Sequence, residues 1–331
     1  MESLHFRNQD GFVVPYVLAV ILVVSLLTAW GANSLQLSQE TFIRIDQTER
    51  QLRAMDVTEE KFLKVYLGAT MVSHGIDISG REVDETALAL GEPLPEEGLT
   101  PEDVWNATRG LKMLEWNGQQ IAAFYQDADA LLSLNSADLS YVSRWLKSAG
   151  YSAPEDMAAK LGDYRDADNI RQFRGAERSE YRLLQKPPPS NSHLRSLSEA
   201  NQILGWGSFT SQLNIADLLQ LTLFFSTSIP RLDGAPESLK ARLLLPSDAS
   251  QFLSQDDLND AELFLSKFPS SRAQLTLVEQ AGDRENVWVR IVEIERTGGA
   301  PDRAFVRRLI WEGRIKQTLL LEALEIPEWT E

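Results

Sequence analysis

Residues 11–30, GFVVPYVLAVILVVSLLTAW, decide how this chain is read. A polar leader, MESLHFRNQD, precedes them, and no charged residue follows until Glu40. About 20 apolar residues, each rising about 1.5 Å along a helix, match the roughly 30 Å hydrocarbon core of a bilayer. Residues 12–31 are therefore expected to form a transmembrane helix. The apolar run is too long for the core of an ordinary signal peptide, and Ala29-Trp30-Gly31-Ala32 is a poor small-residue cleavage site.

Beyond this segment, Phe42, Ile45, Leu52, Met55, Phe62 and Tyr66 recur at helical spacings with polar residues between them. This predicts an amphipathic helix continuous with the apolar one, ending in the region of Gly75 and Gly80. The acidic, Pro- and Gly-rich run GEPLPEEGLTPED, residues 91–103, reads as a loop. In KMLEWNGQQIAAFYQD two apolar runs flank Asn117-Gly118, a pair suited to the positive-φ positions of a type I′ turn. A hairpin over about residues 111–126 follows.

From Ala128 to about Leu265 the pattern is helical, in SADLSYVSRWLKSAG, APEDMAAKLGDYRDADNI, SLSEANQILGWG, SQLNIADLLQLTLFF and DDLNDAELFLSKF. Several of these begin at Ser or Asp, whose side chains cap helix N–H groups. Strands return only as AQLTLVEQ, NVWVRIVEIER and AFVRRLIWEG, with TGGAPD as a turn between the last two. A lone hairpin is marginal and needs sheet partners. A helical block between hairpin and partners therefore implies an α-domain spliced into a sheet.

The net charge of −16 argues against phosphate backbones and anionic lipid as partners. With no cysteine, disulfides, thiolate catalysis and Cys-based metal sites are excluded. Catalysis lacks a base in a suitable setting: His5 lies in the leader, and His74 and His193 lie in polar contexts. No G-x-S-x-G elbow is present, and Gly205 and Gly207 lack the Lys of a phosphate-binding loop.

A short leader ending in Gly, followed by Phe and a hydrophobic helix, resembles the class III signal of type IV pilins and type II secretion pseudopilins. The resemblance implies cleavage by a prepilin peptidase between Gly11 and Phe12, with the hydrophobic helix kept on the mature chain. It also sets the orientation, N-terminus cytoplasmic, because Arg7 against Glu2 and Asp10 makes the positive-inside argument weak. Most pilins carry Glu as the fifth mature residue, and here that position is Tyr16. Absence of that Glu is characteristic of the K-type minor pseudopilins, the general secretion pathway protein K family.

Further motifs carry the same resemblance. LGDYRDADNIRQFRGAERSEY is similar to the family's Asp-x-Asp, Gly-Ala-Glu and Tyr segment, here Asp166, Asp168, Gly175, Ala176, Glu177 and Tyr181. DADALLSLN, ending at Asn135, is similar to the start of its α-domain, and FPSSRAQLTL from Phe268 to its closing strands. LNIADLL at Asn214 is similar to an Asn-x-Asn-Thr-Ala motif but departs from it at Ala216 and Asp217. The implied fold is α+β: a pilin-like fold, with a long N-terminal helix packed on an antiparallel sheet and a large inserted all-α domain. Its expected parts are a leader over residues 1–11, a transmembrane helix over 12–31, and spine and first hairpin over 32–126. The inserted domain covers 127–266 and the closing strands 267–331.

Asp163, Asp166, Asp168, Glu177 and Glu180 crowd one segment with Arg165, Arg171, Arg174 and Arg178. Such a density of hard oxygens could hold Ca²⁺, which takes about six to eight oxygen ligands. An internal salt-bridge network between the same acids and arginines is the alternative, and residue types alone put it ahead. K-type pseudopilins are calcium binders, so the resemblance implies a Ca²⁺ site, with Asp166, Asp168 and Glu177 as its expected ligands.

The resemblance implies a non-enzymatic minor pseudopilin that initiates and caps the periplasmic pseudopilus. It would be a single-pass inner-membrane protein with the bulk of the chain periplasmic. Implied partners are the I-type and J-type minor pseudopilins, the prepilin peptidase, the inner-membrane secretion platform and, more remotely, secreted substrates. The alternative is a membrane-anchored DNA-uptake or nucleic-acid receptor. It needs Lys or Arg beside a Gly-rich hairpin, and residues 205–223 contain none.

Overall fold

The computed structural model describes residues 13–81, 98–116, 118–225, 228–232, 234–243, 269–279, 285–296 and 305–326. The chain divides into two compact units, Met1–Ala54 and Met55–Glu331. Gly11 and Phe12 lie outside the described residues, as do the DDLNDAELFLSKF segment and the TGGAPD turn.

In the first unit the described residues belong to one helix, α1 (Val13–Gly68). Its apolar stretch is exposed all round, from Val14 through Tyr16, Leu18 and Leu22 to Leu27. Among the described residues α1 alone is long and apolar enough to cross a membrane. An all-round apolar surface with no protein against it is what a lipid environment requires. Further on, the i,i+4 pairs Asp46–Arg50 at 2.8 Å and Glu49–Arg53 at 2.5 Å replace apolar with charged surface.

The second unit is built around an antiparallel sheet. Its first strands are β1 (Met71–Val72), β2 (Gly75–Asp77) and β3 (Val104–Asn106), which form a small sheet of their own. The main sheet contains β4 (Thr108–Trp116) and β5 (Gln119–Asp127), the expected hairpin, closed where Trp116 pairs with Gln119. Gly118 takes φ 78°, the left-handed conformation such a turn demands. After the inserted domain, with β6 (Leu132–Ser133) and β7 (Leu221–Thr222), come β8 (Arg272–Glu279), β9 (Asn286–Arg296) and β10 (Phe305–Lys316). The strand order is β10-β9-β8-β5-β4, so the first strand after the insertion pairs directly with the last strand before it.

Side-chain alternation gives this sheet two buried faces. Tyr125 of β5 meets Phe62 and Tyr66 of α1, with ring centroids 5.8 Å away in both cases, and Trp105 joins them. On the same face Arg290 of β9 reaches Asp56 at 2.5 Å and Glu59 at 3.3 Å. The opposite face, including Ala122, Phe124, Val278, Val289 and Ile291, shares one apolar core with the inserted domain.

That domain contains α2 (Leu139–Ser148), α3 (Pro154–Arg165), α4 (Arg178–Leu183), α5 (Phe209–Gln212), α6 (Ile215–Leu218) and α7 (Glu237–Leu243). Asp138 caps α2 by accepting from Ser140 N–H. Trp145, Trp206 and Phe209 lie fully inside, and the Trp206 indole N–H donates to Met157 O at 2.9 Å.

Three expectations need correction. The spine helix stops at Gly68, before Gly75, which instead lies in β2 with Trp105 O only 2.3 Å from where a Cβ would stand. The inserted domain is not purely helical, because LQLTLFF supplies β7, which pairs in parallel with β6. SLSEANQ is a 3-10 helix, Leu197–Gln202. Finally, the C-terminal segment ends in a helix, α8 (Gln317–Leu324), whose Leu320, Ala323 and Leu324 enter the shared core.

Candidate functional site

The acidic segment starts at the end of α3. Asp163, on its last turn, is fully buried, and its carboxylate accepts the Gln172 N–H at 3.1 Å. Gly175 packs so closely on this carboxylate that a Cβ there would lie 2.0 Å from Oδ2. Asp166 ends α3, its N–H donating to Gly162 O at 3.0 Å, and Asp168 Oδ1 holds the Ile170 N–H at 2.7 Å. The chain returns to start α4, where the Glu177 N–H donates to Glu180 Oε2 at 2.9 Å. Tyr181, one turn further on, is buried and its hydroxyl accepts the Leu204 N–H at 3.2 Å.

This return brings Asp166, Asp168 and Glu177 together, with one carboxylate oxygen from each within 4.8 Å of the others. Asp166 Oδ1 and both Glu177 oxygens are buried and meet no hydrogen-bond donor in good geometry among the described residues. Glu177 is 3% exposed. Burial, followed by the charges of Asp163, Asp166 and Asp168, holds its carboxyl above the usual carboxylate range. Asp163 is also raised, chiefly by burial.

Among the described residues no arginine forms an ion pair with Asp166, Asp168 or Glu177. Arg165 donates to Leu134 O at 2.8 Å and Ala137 O at 2.7 Å, tying α3 to the start of the domain. Arg174 lies 3.5 Å from Asp156, outside the cluster. Of the salt-bridge alternative only Arg171–Glu180 forms, at 2.9 Å. Glu180 is pulled down to about 2, first by the Glu177 N–H and then by the Ser179 hydroxyl, so its charge serves the loop itself. Buried carboxylates without donors or cations are costly, and a bound cation is the chemistry that would satisfy them. All-oxygen donors of this hardness fit Ca²⁺. Asp163 was legible only as one acid among several; the structure makes it the residue that holds the loop.

Other sequence signals have structural roles. Asn135 is buried, donating to Leu194 O and Leu223 O and accepting the Leu194 N–H, so it clips three segments together. Asn214 caps α6 through the Asp217 N–H at 2.9 Å, and Asp217 pairs with Arg242 at 2.6 Å. Tyr16 lies in α1 and is exposed. His74 and His193 are exposed, as expected.

Residues 117–212 match the family model described as Type II secretion system (T2SS), protein K. The matched segment runs from the hairpin turn through α2 to α5 and includes all three clustered acids. A search of curated protein sequences finds no match. Among solved structures, "The Crystal Structure of the GspK-GspI-GspJ complex from enterotoxigenic Escherichia coli Type 2 Secretion System" has a chain similar to this one at 16% identity and TM-score 0.45. The alignment covers 83% of this chain and 100% of that one, at a score too low to place individual residues. Across residues 117–212, from the hairpin turn through most of the spliced domain, the chain is similar to the type II secretion protein K family, and an apolar N-terminal helix and a five-stranded antiparallel sheet accompany that match.

Proposed function

We propose that this subunit initiates the pseudopilus and remains as its cap. The observation that carries the reading is Tyr16, at the fifth position after the expected cleavage site. A carboxylate inside a bilayer is expensive unless paired, and the pilin Glu is paired with the terminal amine of the preceding subunit. A first subunit has no predecessor and no amine to neutralise, so an uncharged side chain suits it. The inserted domain supports the same position, since it adds bulk to one face of the sheet that repeated neighbours in a filament would have to accommodate.

On this reading the chain crosses the inner membrane once, with the N-terminus cytoplasmic and the second unit periplasmic. The I-type and J-type minor pseudopilins are its assembly partners. The prepilin peptidase and the inner-membrane platform act on it, and secreted substrates meet the tip. Co-expression with the peptidase should give a mature chain starting at Phe12, read by N-terminal sequencing. Deleting the gene should stop secretion and pseudopilus formation. A different N-terminus, or secretion that continues in the deletion strain, would overturn the proposal.

Asp166, Asp168 and Glu177 are proposed to hold Ca²⁺, which would offset the repulsion of three clustered carboxylates. Support comes from the buried Asp166 and Glu177 oxygens, which have no well-placed hydrogen-bond donor among the described residues, and from Arg174, whose ion pair with Asp156 lies outside the cluster. In a calorimetric titration of the full chain, Ca²⁺ should bind, and Glu177→Gln should weaken binding at least about tenfold. A titration without heat at any pH above the carboxylate range would count against the site.

A further inference from the structure

The C-terminal helix α8 ends on a polar junction that the tip and cation readings do not use. Arg109, at a β-bulge near the start of β4, reaches it from the sheet. Its side chain is 9% exposed and donates to Ala323 O, in the last turn of α8, at 2.8 Å and to Leu219 O, just past α6, at 3.4 Å. Glu325, the residue that ends α8, lies 3.9 Å from the same guanidinium. Its carboxylate accepts the Ser238 N–H, in the first turn of α7, at 2.9 Å. The cation thus meets carbonyl ends and the anion meets an N–H end, each the sign that the backbone favours there. Burial brings the Arg109 guanidinium down to about 10, so it stays charged at neutral pH. Burial raises the Glu325 carboxyl, but Ser238 and the Arg109 charge outweigh it and hold the group below the usual carboxylate range.

Both residues are held in the left-handed region, Arg109 at φ 59° and Glu325 at φ 61°. Residues other than glycine keep that conformation at a cost, and only where the surroundings fix it. Here they do. On one side of Arg109 the Asn106 side chain accepts the Thr108 N–H at 2.7 Å, and on the other Gly110 O accepts the Trp105 indole N–H at 2.7 Å. Glu325 takes the position after a helix where glycine is usual, its N–H donating to Glu322 O at 3.1 Å. From Ser238 the contacts continue inward: its hydroxyl accepts from the Gln220 amide at 2.9 Å, and Gln220 Oε1 accepts the Trp145 indole N–H of α2 at 3.0 Å. A path of polar contacts therefore runs from β4 to the buried Trp145 of the inserted domain.

We infer that α8 is a strap that fixes the inserted domain at one orientation on the sheet, with Arg109 and Glu325 as its catch. The apolar core that domain, sheet and α8 share holds the three together, but apolar burial is non-directional and leaves small rotations open. Hydrogen bonds have narrow limits of distance and angle, and a connected set of them closes that freedom. One half of the catch comes from the host strand β4, and what it grips are the ends of α6, α7 and α8, so a rotation of the domain breaks several contacts at once. The consequence is a domain that moves with the sheet as one rigid body. The inference needs neither the cation nor the tip position.

The chain contains no cysteine, so introduced pairs can carry spin labels without interference. The full chain in phosphatidylcholine nanodiscs, labelled at Glu115→Cys of β4 and Lys147→Cys of α2, both exposed, should give a single narrow distance peak by double electron–electron resonance. Arg109→Met and Glu325→Ala should each lose that narrow peak. Exchanging the charges, Arg109→Glu with Glu325→Arg, should not bring it back, because a carboxylate would then face carbonyl oxygens and a guanidinium an N–H. A second pair, Lys147→Cys with Lys186→Cys, lies within the domain and should stay narrow in every variant, which separates reorientation from unfolding. The inference fails if the parent is already broad between β4 and α2, or if either single variant leaves that peak unchanged. It fails also if the charge exchange restores the peak, which would reduce the catch to a plain ion pair, or if both label pairs broaden together.

Discussion

Replacing Gly175 by Ala should cost about 3 kcal/mol or more of stability, a large effect for one methyl group. The added Cβ would lie 2.0 Å from Asp163 Oδ2 and 2.6 Å from its Cγ. Asp163 is fully buried on α3 and has no empty direction to take. Moving it would strip the Gln172 N–H of its acceptor and disturb the loop that carries Asp166, Asp168 and Glu177. Overpacking alone accounts for about 1–3 kcal/mol, and a broken hydrogen bond to a charged group for about 1.5–3 kcal/mol. Gly207→Ala is the control, because no atom lies within 4 Å of its added Cβ. Urea titrations followed by tryptophan fluorescence should separate the two variants clearly. Equal midpoints would show that Asp163 can give way.

The second large effect lies on β9. Glu293 on β9 is fully buried and accepts the Leu223 N–H of the inserted domain at 2.9 Å, with Arg308 at 3.5 Å. Burial pushes its carboxyl from 4.5 up to about 7, against the opposing pull of Thr222, Leu223 and Arg308. The unfolded chain releases this proton near 4.5, while the folded chain keeps it until about 7. Stability from this group is therefore complete below about 4.5, falls as pH rises, and levels off above about 7. The gap corresponds to roughly 3 kcal/mol. Glu293→Gln cannot ionise but still offers an oxygen to Leu223, so its stability should lack this decline. The variant should gain on the parent as pH rises through the window, in urea titrations at a series of pH values. Parallel pH curves for the two proteins would refute the assignment.

Local signals were the legible ones. Asn117-Gly118 between two apolar runs was sufficient for the β4–β5 hairpin, because turn chemistry and alternation act within a few residues. The three acids were also legible as a set, since α3 and α4 bracket a short loop that returns on itself. What lay beyond reach depended on partners distant in sequence. The β6–β7 pair joins Leu132 to Leu221 through two residues on each side, too short a run for any periodicity. QTLLLEAL reads equally as strand or helix, and becomes α8 where Arg109 donates to Ala323 O at 2.8 Å near its end. Asp163 looks like any acid on a helix, and only the loop folding back over it shows that it is buried.

The pairing of Asp127 with Ala273 places the two ends of the spliced domain side by side on neighbouring strands. Such a junction lets a chain gain or lose a whole domain without relaying the sheet, because a tight turn would span the same gap. With Phe124, Val278, Val289 and Ile291 sharing a core with the guest, excision would leave the host with a bare greasy wall. The guest domain and its host sheet are therefore one folding unit at this seam, and substitutions on the domain's outer surface disturb the sheet far less than substitutions at its seat.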